Sequence, residues 1–355
     1  MSDSPTPESL QPDWLTAQWL ADVFDADVAS VSATRIGDGL VGMNLRLTVV
    51  ADPVVPSSLV AKLPSPDPLS RATGVAMRNY EREVCFYRDL AATVDIRVPV
   101  CHHVERNDDS GDFVLLLEDL APAAQGNQLT GCSVDQARTA VVELARLHGP
   151  RWDDPTLAQF EWLSRRTDAD DTARLIEYWQ IFMPGFLGTY AQYLSAEALD
   201  VLERFGPLVG DWVDGREGPY TVTHGDYRLD NLMFATPAGG AAIAAVDWQT
   251  PGHGPGVSDV SYFLGAGLLP QERRLVERSL LAEYAEGLDA YGVHVDDDLL
   301  WRHYRRETFS GVIMTVMASQ VVGPSERSEA LFAAMGTRHL QHAIDLDAMA
   351  VVRAS

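Results

Sequence analysis

Apolar and polar positions alternate over Val28–Ile36, Met43–Val50 and Ser58–Leu63, with Gly, Pro and Asp between the runs. A period of two bounded by turn residues predicts three short strands. Ahead of them Trp14, Leu15, Trp19, Leu20 and Val23 recur at helical spacing, which predicts a helix over residues 13–25 with Asp13 as its N-cap. The first dozen residues are polar and proline-rich and read as a tail. A helix is expected at about residues 74–92, and a strand pair at about 98–105 and 113–118. After Asp119 the period changes. Segments 134–149, 169–183, 185–214, 270–291, 297–320 and 325–350 follow the helical pattern, interrupted by one β-like patch over Thr221–Phe234 and Ala241–Val246. Strands first and helices afterwards make an α+β arrangement. Residues 1–120 form a sheet-rich N-terminal lobe and residues 121–355 a larger, mostly helical lobe. The change falls within Leu117–Gln128, which runs out of a strand into Pro, Gly and Asn.

Length agrees with two lobes, because 355 residues exceed what one hydrophobic core of up to ~250–300 residues usually holds. No repeat at a solenoid period interrupts this order. A net charge of −24 repels phosphate backbones and anionic membranes, so neither nucleic acid nor a membrane is an expected partner. No apolar run approaches the ~18–20 residues of a membrane span. The N-terminus has acids and prolines but neither a basic start nor the apolar stretch of a signal peptide. Cys85, Cys101 and Cys132 are too few and too scattered for a disulfide framework, which suggests reduced thiols. These features together predict a cytoplasmic protein. Of the 27 basic residues only Lys62 is a lysine. Arginine is a broad planar fork and lysine a compact point charge on a thin stem. A lone lysine marks either a site the fork cannot enter or chance survival in an arginine-biased chain.

The segment Thr223-His224-Gly225-Asp226-Tyr227-Arg228-Leu229-Asp230-Asn231 places an Asn five positions after an Asp. That is the spacing of a kinase catalytic loop, in which the Asp takes the proton of the attacking hydroxyl and the Asn holds a metal ion. Further on, the apolar run Ala244-Ala245-Val246 ends in Asp247. A carboxylate at the end of a strand can serve Mg²⁺, which prefers hard oxygen ligands and takes only one or two from protein. Lys62 lies in Leu59-Val60-Ala61-Lys62-Leu63, at the place where a kinase strand carries its phosphate-holding lysine. Its partner would be a Glu on the following helix. Tyr80, Val84 and Tyr87 define the inward face of that helix; Glu83 lies on it, whereas Glu81 is turned away. Ile36-Gly37-Asp38-Gly39-Leu40-Val41-Gly42 carries three glycines, Gly37, Gly39 and Gly42, in the G-x-G-x-x-G spacing. The residues after it alternate like a strand, which disfavours a dinucleotide site and suits a loop covering nucleotide phosphates; a plain hairpin turn is the simpler reading. Phe113–Leu117 followed by Glu118-Asp119-Leu120 has the form of a hinge whose backbone bonds a nucleotide base. His148 ends a helix, where the helix dipole favours it. His102-His103 lacks metal-ligand spacing nearby. The aromatics Tyr178, Trp179, Phe182, Phe186 and Tyr190 stand at helical spacing, as core residues or as an apolar substrate wall.

These residues together resemble the aminoglycoside phosphotransferase and choline kinase superfamily, small-molecule kinases of protein-kinase-like fold. In wording the Asp247-Trp248-Gln249 and Ser258-Asp259-Val260-Ser261-Tyr262-Phe263-Leu264 stretches are most similar to its ecdysteroid-kinase-like branch and related bacterial phosphotransferases. The resemblance implies a bilobal kinase in which Asp226 is the catalytic base and Asn231 and Asp247 bind magnesium. It implies ATP (or GTP) as co-substrate, contacted by Lys62, Glu83, the glycines and the hinge residues Glu118 and Leu120. Asp259 would brace the loop, and a small-molecule hydroxyl would be the acceptor. An acceptor other than an aminoglycoside is favoured. An aminoglycoside-type antibiotic kinase, or a nucleotide-binding protein of the same fold without catalysis, are the alternatives. A metal-dependent hydrolase with His224 and Asp226 as ligands is disfavoured by the lack of a second His cluster.

Overall fold

The computed structural model describes residues 12–37, 42–165 and 169–353. The chain forms two compact units, one of residues up to Asp89 with Pro99–Ala121, the other of Leu90–Val98 with the chain from Pro122 onward.

The first unit runs α1 (Ala17–Phe24), β1 (Val28–Ile36), β2 (Gly42–Ala51), β3 (Ser58–Pro64), α2 (Pro68–Ala76), α3 (Asn79–Cys85), β4 (Cys101–Arg106) and β5 (Phe113–Glu118). Its five strands form one antiparallel sheet in the order β1-β2-β3-β5-β4. Alternation decides the two faces. Leu45, Leu47 and Val49 of β2, Leu59, Ala61 and Leu63 of β3, and Val114 and Leu116 of β5 are buried together with Leu15 and Leu20. Val60 and Lys62 therefore point to the other face. The helix expected from residue 13 starts at Ala17, because Thr16 and not Asp13 caps it, accepting the Trp19 N–H at 3.1 Å. The single helix expected over 74–92 is two helices. Asp67 caps α2 with Pro68 at its first position, so that helix starts earlier. Arg78 then takes a left-handed conformation (φ 56°), and α3 begins after it. A π-helical turn at Phe86–Leu90 follows.

The second unit contains β6 (Ala124–Gln125), α4 (Val134–His148), β7 (Ser164–Arg165), α5 (Ala169–Tyr190), α6 (Ala196–Phe205), α7 (Val209–Asp214), β8 (Thr221–Thr223), β9 (Leu232–Thr236), β10 (Gly239–Ala245), β11 (Gly252–Gly254) and α8 (Val257–Gly267). It ends with α9 (Pro270–Asp289), α10 (Asp297–Arg306), α11 (Thr308–Val321), α12 (Glu326–Asp345) and α13 (Ala348–Arg353). The strands make two small sheets, β10-β9-β6 and β7-β11-β8. Helix α5 continues through Pro184, where a break was expected. A proline inside a helix removes one backbone hydrogen bond. Burial of Leu175, Trp179, Phe186 and Tyr190 along α5 offsets that loss. Those side chains share a core with Phe205, Trp212, Phe309 and Phe332, in which Phe205 and Phe309 stack with centroids 3.8 Å apart. Four of the five aromatics between 178 and 190 thus serve the core, Phe182 from a partly buried position; Tyr178 remains 40% exposed and stacks on Phe182. Helix α8 was not expected. All of its residues are buried, so it shows no amphipathic period. No helix among the described residues is long and apolar enough to cross a membrane.

Candidate active site

Lys62 sits in the middle of the first unit's sheet, opposite Asn44 of β2 and Leu115 of β5. It is buried, and its Nζ donates to Glu83 Oε1 at 2.7 Å. Tyr80, Glu83 and Val84 fall on the inward face of α3, which brings the carboxylate under the sheet. Glu81 points outward and pairs with Arg78 and Arg106. A buried ion pair is poor evidence for stability, since desolvation consumes most of its Coulombic gain. It is better evidence for a site that needs a held ammonium.

Of the glycine segment, which joins β1 to β2 in the sequence, Gly37 and Gly42 are described. Gly37 is left-handed (φ 67°) and Gly42 opens β2, opposite Pro64. Gly39 lies outside the described residues. At the end of β5, Glu118 pairs with Leu59, and its side chain accepts the Val100 N–H at 3.0 Å. Asp119 accepts from Arg46 and from the Ser58 hydroxyl. Burial works against its charge, but these donors hold its carboxyl below the usual value. Leu120 follows the strand, so its N–H and C=O lie outside the sheet ladder.

In the second unit the His-Gly-Asp segment leaves β8 and turns back into β9. Gly225 is left-handed (φ 80°), and a Cβ there would strike the Thr250 carbonyl oxygen, so only glycine lets the two backbone segments meet. Asp259 of α8 accepts the N–H of His224 at 2.6 Å and of Gly225 at 3.0 Å. Its Oδ2 also meets His148 Nε2 at 3.3 Å, and His148 Nδ1 bonds Tyr284 OH at 2.8 Å. The sequence marked Asp259 as a brace through family likeness; it gave no sign that His148 is the next link.

His224 Nε2 is 3.1 Å from the Val246 carbonyl, and the Asp226 N–H reaches its Nδ1 at 3.3 Å. Both ring nitrogens are thus occupied by backbone, which fixes the neutral tautomer and leaves neither for a metal. The hydrolase reading fails on this geometry. Val246 N–H in turn donates to the Asn231 carbonyl at 2.9 Å, so Asn231 and Asp247 are neighbours. Asp247 has φ 66°. Asp is among the few non-glycine residues that adopt this region, and such strain gathers at functional positions.

Asp226 is held on both oxygens. Oδ2 accepts Arg228 Nε at 3.0 Å and Asn231 Nδ2 at 2.9 Å, and Oδ1 accepts Tyr262 OH at 2.7 Å. Arg228 Nη1 also bonds Asp230 at 2.8 Å. Burial works against the guanidinium charge, but Asp226 and Asp230 overcome it and hold Arg228 charged. Burial and the Asp226 charge raise the Tyr262 phenol well above its usual value, so it stays a donor. Asn231 Nδ2 also donates to the Asp226 carbonyl at 2.9 Å. With its amide nitrogen engaged by two acceptors, Asn231 turns its Oδ1 elsewhere. An amide oxygen and the Asp247 carboxylate are the hard donors that Mg²⁺ takes, and the pair fits that ion. Sequence reasoning missed Arg228 and Tyr262. Arg228 lies between two loop carboxylates, a signal that was available. Tyr262 follows Asp259 by three positions, which signals only once that segment is known to be helical.

The chain matches the model of the phosphotransferase enzyme family over residues 50–304. No curated protein matches it at a significant level. Among solved structures it is similar to an ethanolamine kinase of Plasmodium vivax, with 9% identity over 90% of this chain and 82% of that one, at a TM-score of 0.54. The aminoglycoside 2'-phosphotransferase-IIIa solved with GDP has 14% identity, coverage of 92% and 97%, and a TM-score of 0.52. A microcompartment-associated aminopropanol kinase has 16% identity, coverage of 89% and 93%, and a TM-score of 0.50. At such identities these likenesses establish the kinase-like fold alone.

Proposed function

The chain belongs to the phosphotransferase enzyme family, and we propose that it moves the γ-phosphoryl group of ATP, with Mg²⁺, to a hydroxyl of a small molecule. The observation that carries this reading is the loop around Asp226, with Asn231 bonded to it and the Asn231 carbonyl accepting the N–H of Val246, the residue before Asp247. Asp226 would orient the acceptor hydroxyl and take its proton. Lys62, kept in place by Glu83, would hold a nucleotide phosphate as a point charge. Asn231 and Asp247 would hold Mg²⁺, which supplies charge neutralisation on the phosphates. Asp259 keeps the loop backbone in shape through the His224 and Gly225 N–H groups. Positioning and electrostatics carry most of such catalysis.

For the acceptor we propose a hydroxyl compound other than an aminoglycoside: the exposed side of α5 carries Tyr178 and Ile181, 40% and 57% exposed, beside exposed Arg174, Glu177 and Gln180, a mixed surface rather than an acidic one. The test is a screen of hydroxyl compounds with ATP or GTP and Mg²⁺, covering aminoglycosides, choline, lipophilic alcohols and hydroxyacyl compounds. ADP or GDP release is followed, and ³¹P NMR identifies the phosphate ester. Hits are titrated at two ionic strengths, since a polycation held by carboxylates loses affinity as salt screens charges beyond ~8–10 Å. No phosphate ester from any compound would refute phosphotransfer. Efficient turnover of an aminoglycoside with salt-sensitive affinity would refute the acceptor class.

A further inference from the structure

A carboxylate offers about four acceptor positions, two on each oxygen. On Asp226 three are filled. Oδ2 takes both Arg228 Nε and Asn231 Nδ2, and Oδ1 takes Tyr262 OH. Among the described residues nothing fills the fourth position, which lies on Oδ1. We propose that Oδ1 is the oxygen that receives the acceptor's proton, and that Tyr262 is the positioning residue that aims it.

The inference rests on the phosphotransfer reading above and deepens it. In the step it describes, the acceptor O–H bond breaks and its proton goes to Oδ1. The freed electron pair forms the new O–P bond. The bond between the γ-phosphorus and the bridging oxygen breaks, and its pair leaves with the diphosphate. Tyr262 keeps its own proton throughout.

Tyr262 is well placed to fix a direction. It is 4% exposed, in a helix buried along its whole length, so its ring has little freedom. The ring stacks on His339, with centroids 5.2 Å apart and planes 28° apart. Asp259, three residues earlier on the same face of α8, holds the backbone of His224 and Gly225. One helix therefore sets both the path of the loop and the direction of its carboxylate. The donors on Oδ2 belong to the loop itself and move with it. Tyr262 is the donor that refers Asp226 to the rest of the unit.

The experiment compares wild-type protein with Tyr262→Phe, which removes one oxygen and keeps the ring. Turnover, acceptor KM, nucleotide Kd by titration and melting temperature are measured. The expected result is a fall in kcat of about tenfold to a hundredfold, the usual weight of a hydrogen bond to a charged group, with nucleotide Kd unchanged and the variant still folded at the assay temperature. A kcat within about twofold of wild type overturns the proposal, as does a loss matched by an equal loss of nucleotide affinity. Should the Phe variant not fold, 3-fluorotyrosine at 262 keeps the ring and strengthens the donor. A change in turnover beyond about twofold then supports the positioning role, and the wild-type rate overturns it. If wild-type protein makes no phosphate ester, the phosphotransfer reading fails and the proposal falls with it; that outcome is separate from any comparison of variants.

Discussion

Two fully buried imidazoles should make the protein acid-labile well above the pH at which its carboxylates titrate. His339 and His342 of α12 have no solvent exposure. His339 fills a slot left by two glycines. A Cβ on Gly311 would strike its ring, and one on Gly265 would lie 2.7 Å from its Nδ1 and 2.8 Å from that of His342. Burial pushes His339 from 6.5 down to about 3, and pushes His342 down to about 4 although Glu277 opposes the fall. Both folded values lie below the unfolded one, so the unfolded chain takes the protons first. The stability of the neutral pair is complete above pH 6.5 and is lost as pH falls towards 4 and 3. Between pH 7 and pH 5 each imidazole costs about 2 kcal/mol and the pair about 4 kcal/mol, at 1.36 kcal/mol per pH unit below 6.5. That is a large part of a typical total of ~5–15 kcal/mol. The carboxyl of Glu277 does not confuse the measurement. Burial works against its charge, yet His342 and Arg273 hold it below 4.5, so its contribution is lost only at lower pH. Urea denaturation followed by circular dichroism at pH 7 and pH 5 gives the difference. In His339→Leu the pH-dependent loss should shrink by about 2 kcal/mol, the share of that one imidazole. Equal stabilities of the wild type at the two pH values, or an undiminished loss in His339→Leu, would refute the reasoning.

Lys62→Arg keeps the charge but places a fork where a point charge pairs with Glu83 inside the sheet, and turnover should collapse; a wild-type rate in steady-state kinetics would sink the phosphate-holding role. Asp247→Asn should lose Mg²⁺-dependent nucleotide affinity, whereas Asp226→Asn should keep it and lose ~10²–10⁴-fold in kcat, as removal of a general base does. Isothermal titration beside kinetics tests that division, and equal losses of affinity would contradict it. Gly225→Ala combines a left-handed backbone with a collision against the Thr250 carbonyl, so it should abolish turnover and lower the melting temperature; an active, equally stable variant would show that the turn is not needed.

Strand β2 was legible because one face is buried and the other is not, so alternation survives in the sequence; β5, buried on both faces, was legible as a continuous apolar run ending in acids. The loop around Asp226 was legible for a different reason. Its Asp and Asn stand at the fixed spacing of a kinase catalytic loop, and Gly225 must be glycine because the Thr250 backbone is in the way. The choice of Glu83 over Glu81 followed from the apolar face of α3. Breaks were the weak point. Arg78 ends one helix and begins another through a left-handed backbone that no glycine announces. Pro184 announces a break that the buried α5 aromatics override. His148, Asp259 and Tyr284 meet in space from three helices, His148 and Asp259 standing 111 positions apart in the chain. Nothing local records such a contact.

Helix α8 shows why the hidden part of the site was hidden. A helix with one wet face shows a 3.6-residue period, and that period would have placed Asp259 and Tyr262 together at i and i+3. All of α8 is buried, so the period is absent and the segment could not be told from a strand or a loop. Burial on every side also gives α8 its use. A carboxylate and a phenol carried on one fully buried helix hold the loop at two points, the backbone of His224 and Gly225 and the Oδ1 of Asp226. The property that lets α8 hold the Asp226 carboxylate is the same one that removes its signature from the sequence.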